Sequence, residues 1–484
     1  MILKELIKNA LDISVSYDID VTGVAQDSRK VLAGYVFVAR SGEITDGHDF
    51  ANKVADLGAV AIVGERKLKT LAGLPYISTK NAKLATAKLA ASFYNNPSRD
   101  LFTFGITGTD GKTTTAYLLH HLLSANNKTG LLSTAATKIG FEELKMEGHF
   151  TTPESPEVQQ ILAIFRDEGI SQAVIETSSH GFAQHRLDEI NYDIGIWTNL
   201  TPEHLDFHKN FEEYRDVKLN LVRRSNMSIL NRDDPSYQYF EAEAQKFLSY
   251  GENVNSDYRI LEIKENNAQQ KFILEYAGQN YSCELNMVGR YNVHNAVAAI
   301  AAAHQSGIDI SICLKRLKEF RDVPGRMQVV QAEQFKLIVD FAHTPIALEK
   351  ALEAIRPITD NRIIVLIGAA GERDKNKRSE LARVAIKNSE IAIFTEEDSR
   401  SEDIVEILIE MARGAIAAGG KATKDYWIIP NREEAIELAI NMAELGDTIL
   451  LAGKGHEDML ERKHESIPWN EVQIAKNYLL KKRK

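Results

Sequence analysis

An apolar run, Leu101–Thr107, passes through Gly108-Thr109-Asp110-Gly111 and enters the helical pattern Thr114–Ala125 without any intervening linker. Few folds accept that order. A strand must end in a sheet with its carboxyl end open, and the following helix must aim its N-terminus back at the same point. Glycines there let backbone N–H groups converge on phosphates, a lysine reaches the β/γ-phosphates, and a hydroxyl next to it can hold Mg²⁺. Gly108, Thr109, Asp110, Gly111, Lys112, Thr113 and Thr114 supply those groups. The position five before Gly111 is Ile106, so the loop is a Gly-x-x-Gly-Lys-Thr variant, and a nucleoside triphosphate site is the first inference.

The rest of the 484 residues repeats the strand–helix alternation in three stretches. Up to Asn96-Pro97-Ser98, short runs such as Tyr35–Ala39 and Ala59–Val63 read as a small α/β domain. From Leu101 to Pro324 the strands Leu101–Thr107, Ala173–Glu176 and Ile194–Thr198 predict a mostly parallel sheet. The segments Arg259–Ile263, Lys271–Tyr276 and Tyr281–Leu285 predict an antiparallel addition. After Val323-Pro324-Gly325 the strands Lys336–Phe341, Ile363–Ile367, Ile391–Thr395, Trp427–Ile429 and Thr448–Leu451 predict a Rossmann-like domain, although Gly368-Ala369-Ala370-Gly371 lacks the dinucleotide fingerprint. The expected domains are 1–98, 99–325 and 326–484.

The net charge of −10 argues against a chain built to coat nucleic acid. No run approaches the roughly 18 apolar residues of a membrane span, and Lys4, Glu5 and Lys8 interrupt what would be a signal peptide, so that Met1–Lys8 reads as an amphipathic helix. The two cysteines, Cys283 and Cys313, lack metal-ligand spacing, which fits a reducing cytosol.

Three further residues point to phosphoryl chemistry. Glu176 ends an apolar strand, where a carboxylate can orient Mg²⁺ on a transferred phosphate. His204 lies in the loop Asn199-Leu200-Thr201-Pro202-Glu203-His204 after another strand. Lys218 falls on the apolar stripe Phe211, Tyr214, Leu221, Val222 of a helix. Two outcomes are open for a lysine there: it snorkels to the rim, or burial lowers its pKa and the amine is chemically altered or metal-linked. A carbamate formed with CO₂ would make it an anionic ligand for a second Mg²⁺.

These residues resemble the Mur ligases, and among them the UDP-N-acetylmuramoyl-tripeptide synthetases, over essentially the whole chain. Asp27-Ser28-Arg29-Lys30 and Asp46-Gly47-His48-Asp49-Phe50 look like the subfamily's UDP-binding domain. The segments Thr151-Thr152-Pro153-Glu154 and Glu176-Thr177-Ser178-Ser179-His180, with Gln184-His185-Arg186, look like its metal and muramoyl-peptide segments. The resemblance thus implies that Ser28, Thr151, Thr152, Ser178, Gln184 and Arg186 meet the UDP-substrate. Lys218 falls where the family carries a carbamylated lysine, and Asp110 stands where asparagine is usual. Gly289–Asn295, Pro324-Gly325-Arg326-Met327 and Asp340-Phe341-Ala342-His343 resemble its nucleotide-contacting motifs, implicating Asn292, Asn295, Arg326, Asp340 and His343. The two asparagines share a helix face and could meet a purine edge or act as caps.

On the amino-acid side the resemblance implicates Arg373, Asp398, Arg400, Gly453 and Glu457. The family segment Asp-Asn-Pro-Arg of enzymes adding meso-diaminopimelate reads Glu397-Asp398-Ser399-Arg400 here. Arg400 offers a bidentate fork to a distal carboxylate, and Glu457 an acceptor for the distal ammonium. The implied activity is ATP-dependent addition of the third stem residue, meso-diaminopimelate or L-lysine, to UDP-MurNAc-L-Ala-D-Glu through an acyl phosphate. Two Mg²⁺, ATP as co-substrate and a carbamate on Lys218 would serve it, in a cytoplasmic monomer without nucleic-acid or membrane partners. The competing readings are a folylpolyglutamate synthetase-like ligase and a non-catalytic nucleotide switch. The first is disfavoured by Lys112-Thr113-Thr114 and the UDP-type N-terminal domain, the second by the intact Lys112, Glu176, His204 and Lys218.

Overall fold

The computed structural model describes residues 1–42, 45–125, 127–144, 152–203, 207–266 and 269–482. The chain forms two compact units, Met1–Arg259 with Val297–Cys313, and Ile260–Ala296 with Leu314–Lys484.

The first unit carries two sheets. In the smaller, Gly23–Ala25, Tyr35–Ala39, Ala61–Gly64 and Leu74–Ser78 run parallel and Thr70–Leu71 pairs antiparallel at the edge. The N-terminal helix Leu3–Leu11 buries Leu3, Leu6 and Ile7, at the three-and-four spacing expected of an amphipathic segment, in one cluster with Val36, Val38 and Leu89. In the larger sheet, Phe102–Thr107 sits between Gln172–Glu176 and Tyr192–Trp197, all parallel, with Glu176 level with Ile106 and Trp197 level with Thr107. These strands are buried on both faces, which is why they read as unbroken apolar runs. The consequence for the site is direct. Three strand ends open at one edge, and whatever follows Thr107, Glu176 and Trp197 converges there.

In the second unit, Gln269–Tyr276 pairs antiparallel with Gln279–Leu285, the addition predicted from the sequence. A six-stranded sheet follows, ordered Gln328–Gln331, Lys336–Asp340, Thr448–Ala452, Ile363–Ile367, Ile391–Phe394, Tyr426–Ile428. Only its first pair is antiparallel. Helices Pro345–Ile355, Asn376–Asn388 and Ile404–Ala417 bury one face of the sheet, and Arg432–Met442 and Glu471–Lys482 the other. This is the doubly wound arrangement expected of a Rossmann-like domain. Both cysteines are free and buried, and burial pushes each thiol up to about 12. No helix among the described residues is long and apolar enough to cross a membrane.

Candidate active site

The loop after Thr107 is held by side chains from the neighbouring strand end. Thr198 Oγ1 and Asn199 Nδ2 both donate to the Asp110 carbonyl, at 2.6 and 3.1 Å, and Asn199 Oδ1 accepts from the Asp110 N–H at 2.8 Å. Gly108 has φ +152, and a Cβ there would lie 1.9 Å from Thr198 Oγ1, so only glycine fits. Gly111 caps the helix Lys112–Leu123 in the left-handed region, φ +81, and opens its N-terminus to the loop. Lys112 Nζ folds back onto the Gly108 and Thr109 carbonyls at 3.1 and 2.8 Å.

Thr113 and Glu176 meet as the sequence implied. The Thr113 hydroxyl lies 3.1 Å from both Glu176 oxygens, and the Thr134 N–H donates to Glu176 Oε2 at 2.9 Å. Glu176 is 1% exposed. A buried carboxylate beside a hydroxyl is an all-oxygen donor set, which fits a hard cation such as Mg²⁺.

The structure rules on one of the two outcomes for Lys218, the snorkelling one. It does not snorkel: it is 1% exposed, its Nζ donates to the Gly108 carbonyl at 2.6 Å, and it sits 4.7 Å from the centre of the Tyr214 ring. Burial drives its pKa well below the ordinary lysine value. Lys112 adds to this, and Glu203, Asp110 and Glu176 pull the other way. Burial thus works against the ammonium form of the amine set into the phosphate loop. His204 and Thr151 lie outside the described residues.

A second cluster gathers on the same unit. Thr152 Oγ1 and Ser178 Oγ are 2.9 Å apart, Arg186 donates to the Thr152 carbonyl at 3.0 Å, and Ser178 caps the helix Ser179–Ala183 through the Gly181 N–H. Arg186 also pairs with Glu154 at 2.6 Å. Glu154 in turn takes Arg40 at 3.3 Å and a short bond from Gln26. Among the described residues no side-chain hydrogen bond joins Ser28 or Gln184 to this group. Sequence reasoning passed over Gln26 and Arg40, because their partner Glu154 lies more than a hundred residues away.

In the second unit Asn292 Nδ2 donates to the Val288 carbonyl at 2.7 Å and Asn295 Nδ2 to Asn292 Oδ1 at 3.0 Å, both side chains being buried. Arg326 stacks on Phe341 at 4.4 Å. Asp340 accepts from the Met327 and Ala342 N–H groups at 2.7 and 2.9 Å. Its pKa is pushed up by burial against the opposing pull of Arg326 and those N–H groups. His343 Nδ1 lies 2.9 Å from the Phe341 carbonyl at the surface.

The amino-acid side is built from charges. Arg400, at φ +48, donates to the Gly371 carbonyl at 2.7 Å. Its guanidinium has no carboxylate partner among the described residues, and Arg373 is exposed. Asp398 and Glu457 are both bound to Lys454, at 2.8 and 2.6 Å. A cavity of about 310 Å³ opens on the Glu457 side, lined by residues such as Gly325, Gly455, Asp458 and Asn470. A Cβ on Gly325, φ +61, would come within 2.1 Å of the His456 nitrogen, which fixes glycine in the Pro324-Gly325 turn. Beneath, fully buried Arg432 pairs with fully buried Glu471 at 2.6 Å, and Arg462 holds Glu396 in a bidentate pair at 2.9 and 2.6 Å.

Comparison with known proteins accords with this construction. Residues 20–94 match the Mur ligase family catalytic domain, 106–303 the Mur ligase middle domain and 325–455 the Mur ligase glutamate ligase domain. A UDP-N-acetylmuramyl-tripeptide synthetase of Deinococcus radiodurans is 43% identical over 469 residues, covering 96% of this chain and 95% of that one. A UDP-N-acetylmuramoyl-L-alanyl-D-glutamate--2,6-diaminopimelate ligase of Syntrophomonas wolfei is 37% identical, covering 99% of each. A solved structure of a UDP-N-acetylmuramoyl-L-alanyl-D-glutamate--2,6-diaminopimelate ligase superposes with TM-score 0.71 at 26% identity over the whole of both chains. The chain belongs to the Mur ligase family. It is an ATP-dependent amide ligase with that family's three-domain α/β fold.

Proposed function

We propose that this ligase joins a diamino acid to the D-glutamyl side-chain carboxylate of UDP-MurNAc-L-Ala-D-Glu, forming the tripeptide precursor of peptidoglycan. In this reading residues 1–98 hold the UDP end, 99–325 the ATP and 326–484 the amino acid. Ser28, Thr151, Thr152, Ser178, Gln184 and Arg186 contact the UDP-substrate. The nucleotide is held by Gly108–Thr114 with Asn292, Asn295, Arg326, Asp340 and His343, and the amino acid by Arg373, Asp398, Arg400, Gly453 and Glu457. In this reading the enzyme acts as a monomer in the cytoplasm, where both nucleotide substrates are found.

The chemistry needs a carboxylate made electrophilic in water. Lys112 and the N–H groups of the loop hold the γ-phosphate in line with the glutamyl carboxylate and stabilise charge in the transition state. Mg²⁺ bound by Thr113 and Glu176, and a second ion held by His204 and Lys218, would neutralise phosphate charge. As a free amine, Lys218 can attack CO₂, releasing one proton and forming an N-carboxylate. The carboxylate oxygen that takes the phosphoryl group leaves with phosphate when the amine attacks. Arg400 favours meso-diaminopimelate over L-lysine, because its guanidinium can pair with a distal carboxylate and has no carboxylate partner among the described residues.

The observation that carries this reading is the convergence of Lys112, Thr113, Glu176 and buried Lys218 on one loop. Its test is ADP release with UDP-MurNAc-dipeptide against a panel of amino acids. ADP should form only when both are present, and ADP formed without the dipeptide would refute the proposal. Lys218→Ala should lose ligation, with partial rescue by short carboxylates, and ¹³C-bicarbonate should give a carbamate resonance in the wild type alone.

A further inference from the structure

Lys454 is wholly buried, yet it is absent from the chemistry described above. Its Nζ lies 2.8 Å from Asp398 Oδ1 and 2.6 Å from Glu457 Oε2. The Glu461 N–H also donates to Asp398 Oδ1 at 3.0 Å, and the Glu457 N–H closes a turn on the Lys454 carbonyl at 2.9 Å. Burying an ammonium is costly unless its charge and hydrogen bonds are met, and two carboxylates meet them here. Next to Asp398, Glu397 Oε2 is buried and has no hydrogen-bond partner among the described residues, and a Cβ on Gly453 would come within 3.0 Å of it. Two carboxylates thus share one lysine, and a third, Glu397, lies in its field without a hydrogen bond to it. Glu397 is also faced by His343 and Arg432. A buried carboxylate oxygen without a hydrogen bond is costly, and a ligand cation would satisfy it.

We propose that Lys454 is a positioning residue for the incoming amino acid, fixing Asp398 and Glu457 so that the free oxygens of Glu397 and Glu457 receive an ammonium group. This rests on the reading that the region takes a diamino acid. It also gives a role to the aspartate standing where the resembling family segment has asparagine: Asp398 supplies the second counter-charge. With Asp398 and Glu457 both paired to it, Lys454 leaves one negative charge over to attract the ligand ammonium, and a neutral residue at 398 would remove that surplus.

The test uses the full-length enzyme and the diamino acid the wild type ligates best. Lys454→Met should raise KM for the amino acid at least about 10-fold, the loss expected for charged hydrogen bonds, while KM for ATP and for the UDP-substrate stays within about 2-fold. Burial raises the Glu397 pKa and Lys454 opposes that rise. Removing the lysine should therefore move the acid limb of kcat/KM for the amino acid to higher pH. Asp398→Asn, which keeps shape, should raise the same KM in the same direction by a smaller factor, and it decides the question alone if Lys454→Met does not fold. An amino-acid KM within about 2-fold of wild type in a folded variant, or all three KM values rising together, overturns the proposal. A wild type that ligates no diamino acid instead removes the functional reading, and this proposal with it.

Discussion

The phosphate loop and the amino-acid loop are held by different means. The first is fixed by hydrogen bonds to its own backbone: Thr198 and Asn199 on Asp110, Lys112 and Lys218 on Gly108. The second is fixed by ion pairs between segments far apart in sequence: Asp398 with Lys454, Arg432 with Glu471, Arg462 with Glu396. Backbone cradles tolerate little substitution, because a glycine φ or a strand-end hydroxyl has few substitutes. Ion-pair networks can exchange one charged group for another and keep the fold, so specificity can drift where chemistry cannot.

The sharpest way to break the second region is to leave a buried charge alone. Glu471→Ala strands Arg432, which is 0% exposed and whose guanidinium lies within 2.6–3.1 Å of Glu471. A loss of about 3–5 kcal/mol in unfolding free energy is expected, measured by urea denaturation. The exposed pair Arg356–Glu390, at 3.1 Å, should cost less than about 1 kcal/mol when broken. In the first region the expected loss is kinetic. Lys112→Ala should lower kcat by at least about 10²-fold, with affinity for the UDP-substrate unchanged. A collapse of UDP-substrate affinity with turnover intact would reverse the assigned roles.

These differences also explain what was legible. The phosphate loop could be read from eleven consecutive residues because strand, glycines and helix are contiguous, and Thr113 and Glu176 meet since both follow strand ends of one parallel sheet. Lys218 was visible as an anomaly of helical spacing, but its burial needed the fold. The Lys454 clamp was not visible. Asp398 and Lys454 are joined only because the strands Ile391–Phe394 and Thr448–Ala452 end on the same side of a sheet, each beside Ile363–Ile367. The same holds for Arg432 and Glu471, whose partnership crosses two helices with no shared motif.

A smaller kinetic effect should sharpen the contrast on the amino-acid side. Arg400→Ala should cost at least about 2 kcal/mol in kcat/KM for meso-diaminopimelate and much less for L-lysine, since only the former presents a distal carboxylate. Equal losses for both would mean that Arg400 orders the loop through Gly371 and does not read the ligand.

A further effect concerns pH and falls on the first unit. His120, on the helix that opens at Lys112, has its pKa pulled down to about 4, chiefly by burial against the opposing hydrogen bond to Thr129. A folded value below the unfolded one means that the unfolded chain binds the proton more readily. Stability is therefore complete above about pH 6.5 and falls as pH drops toward 4, by about 2 kcal/mol between pH 7 and pH 5. His120→Gln should flatten that slope in urea titrations at the two pH values, and an unchanged slope would assign the acid sensitivity elsewhere.

The central claim is that the loop around Lys112 activates the glutamyl carboxylate as an acyl phosphate, and isotope transfer tests it most directly. With both oxygens of that carboxylate labelled with ¹⁸O, one labelled oxygen should leave in inorganic phosphate for each amide formed, the other remaining in the peptide. Phosphate released without ¹⁸O while tripeptide accumulates would contradict the account.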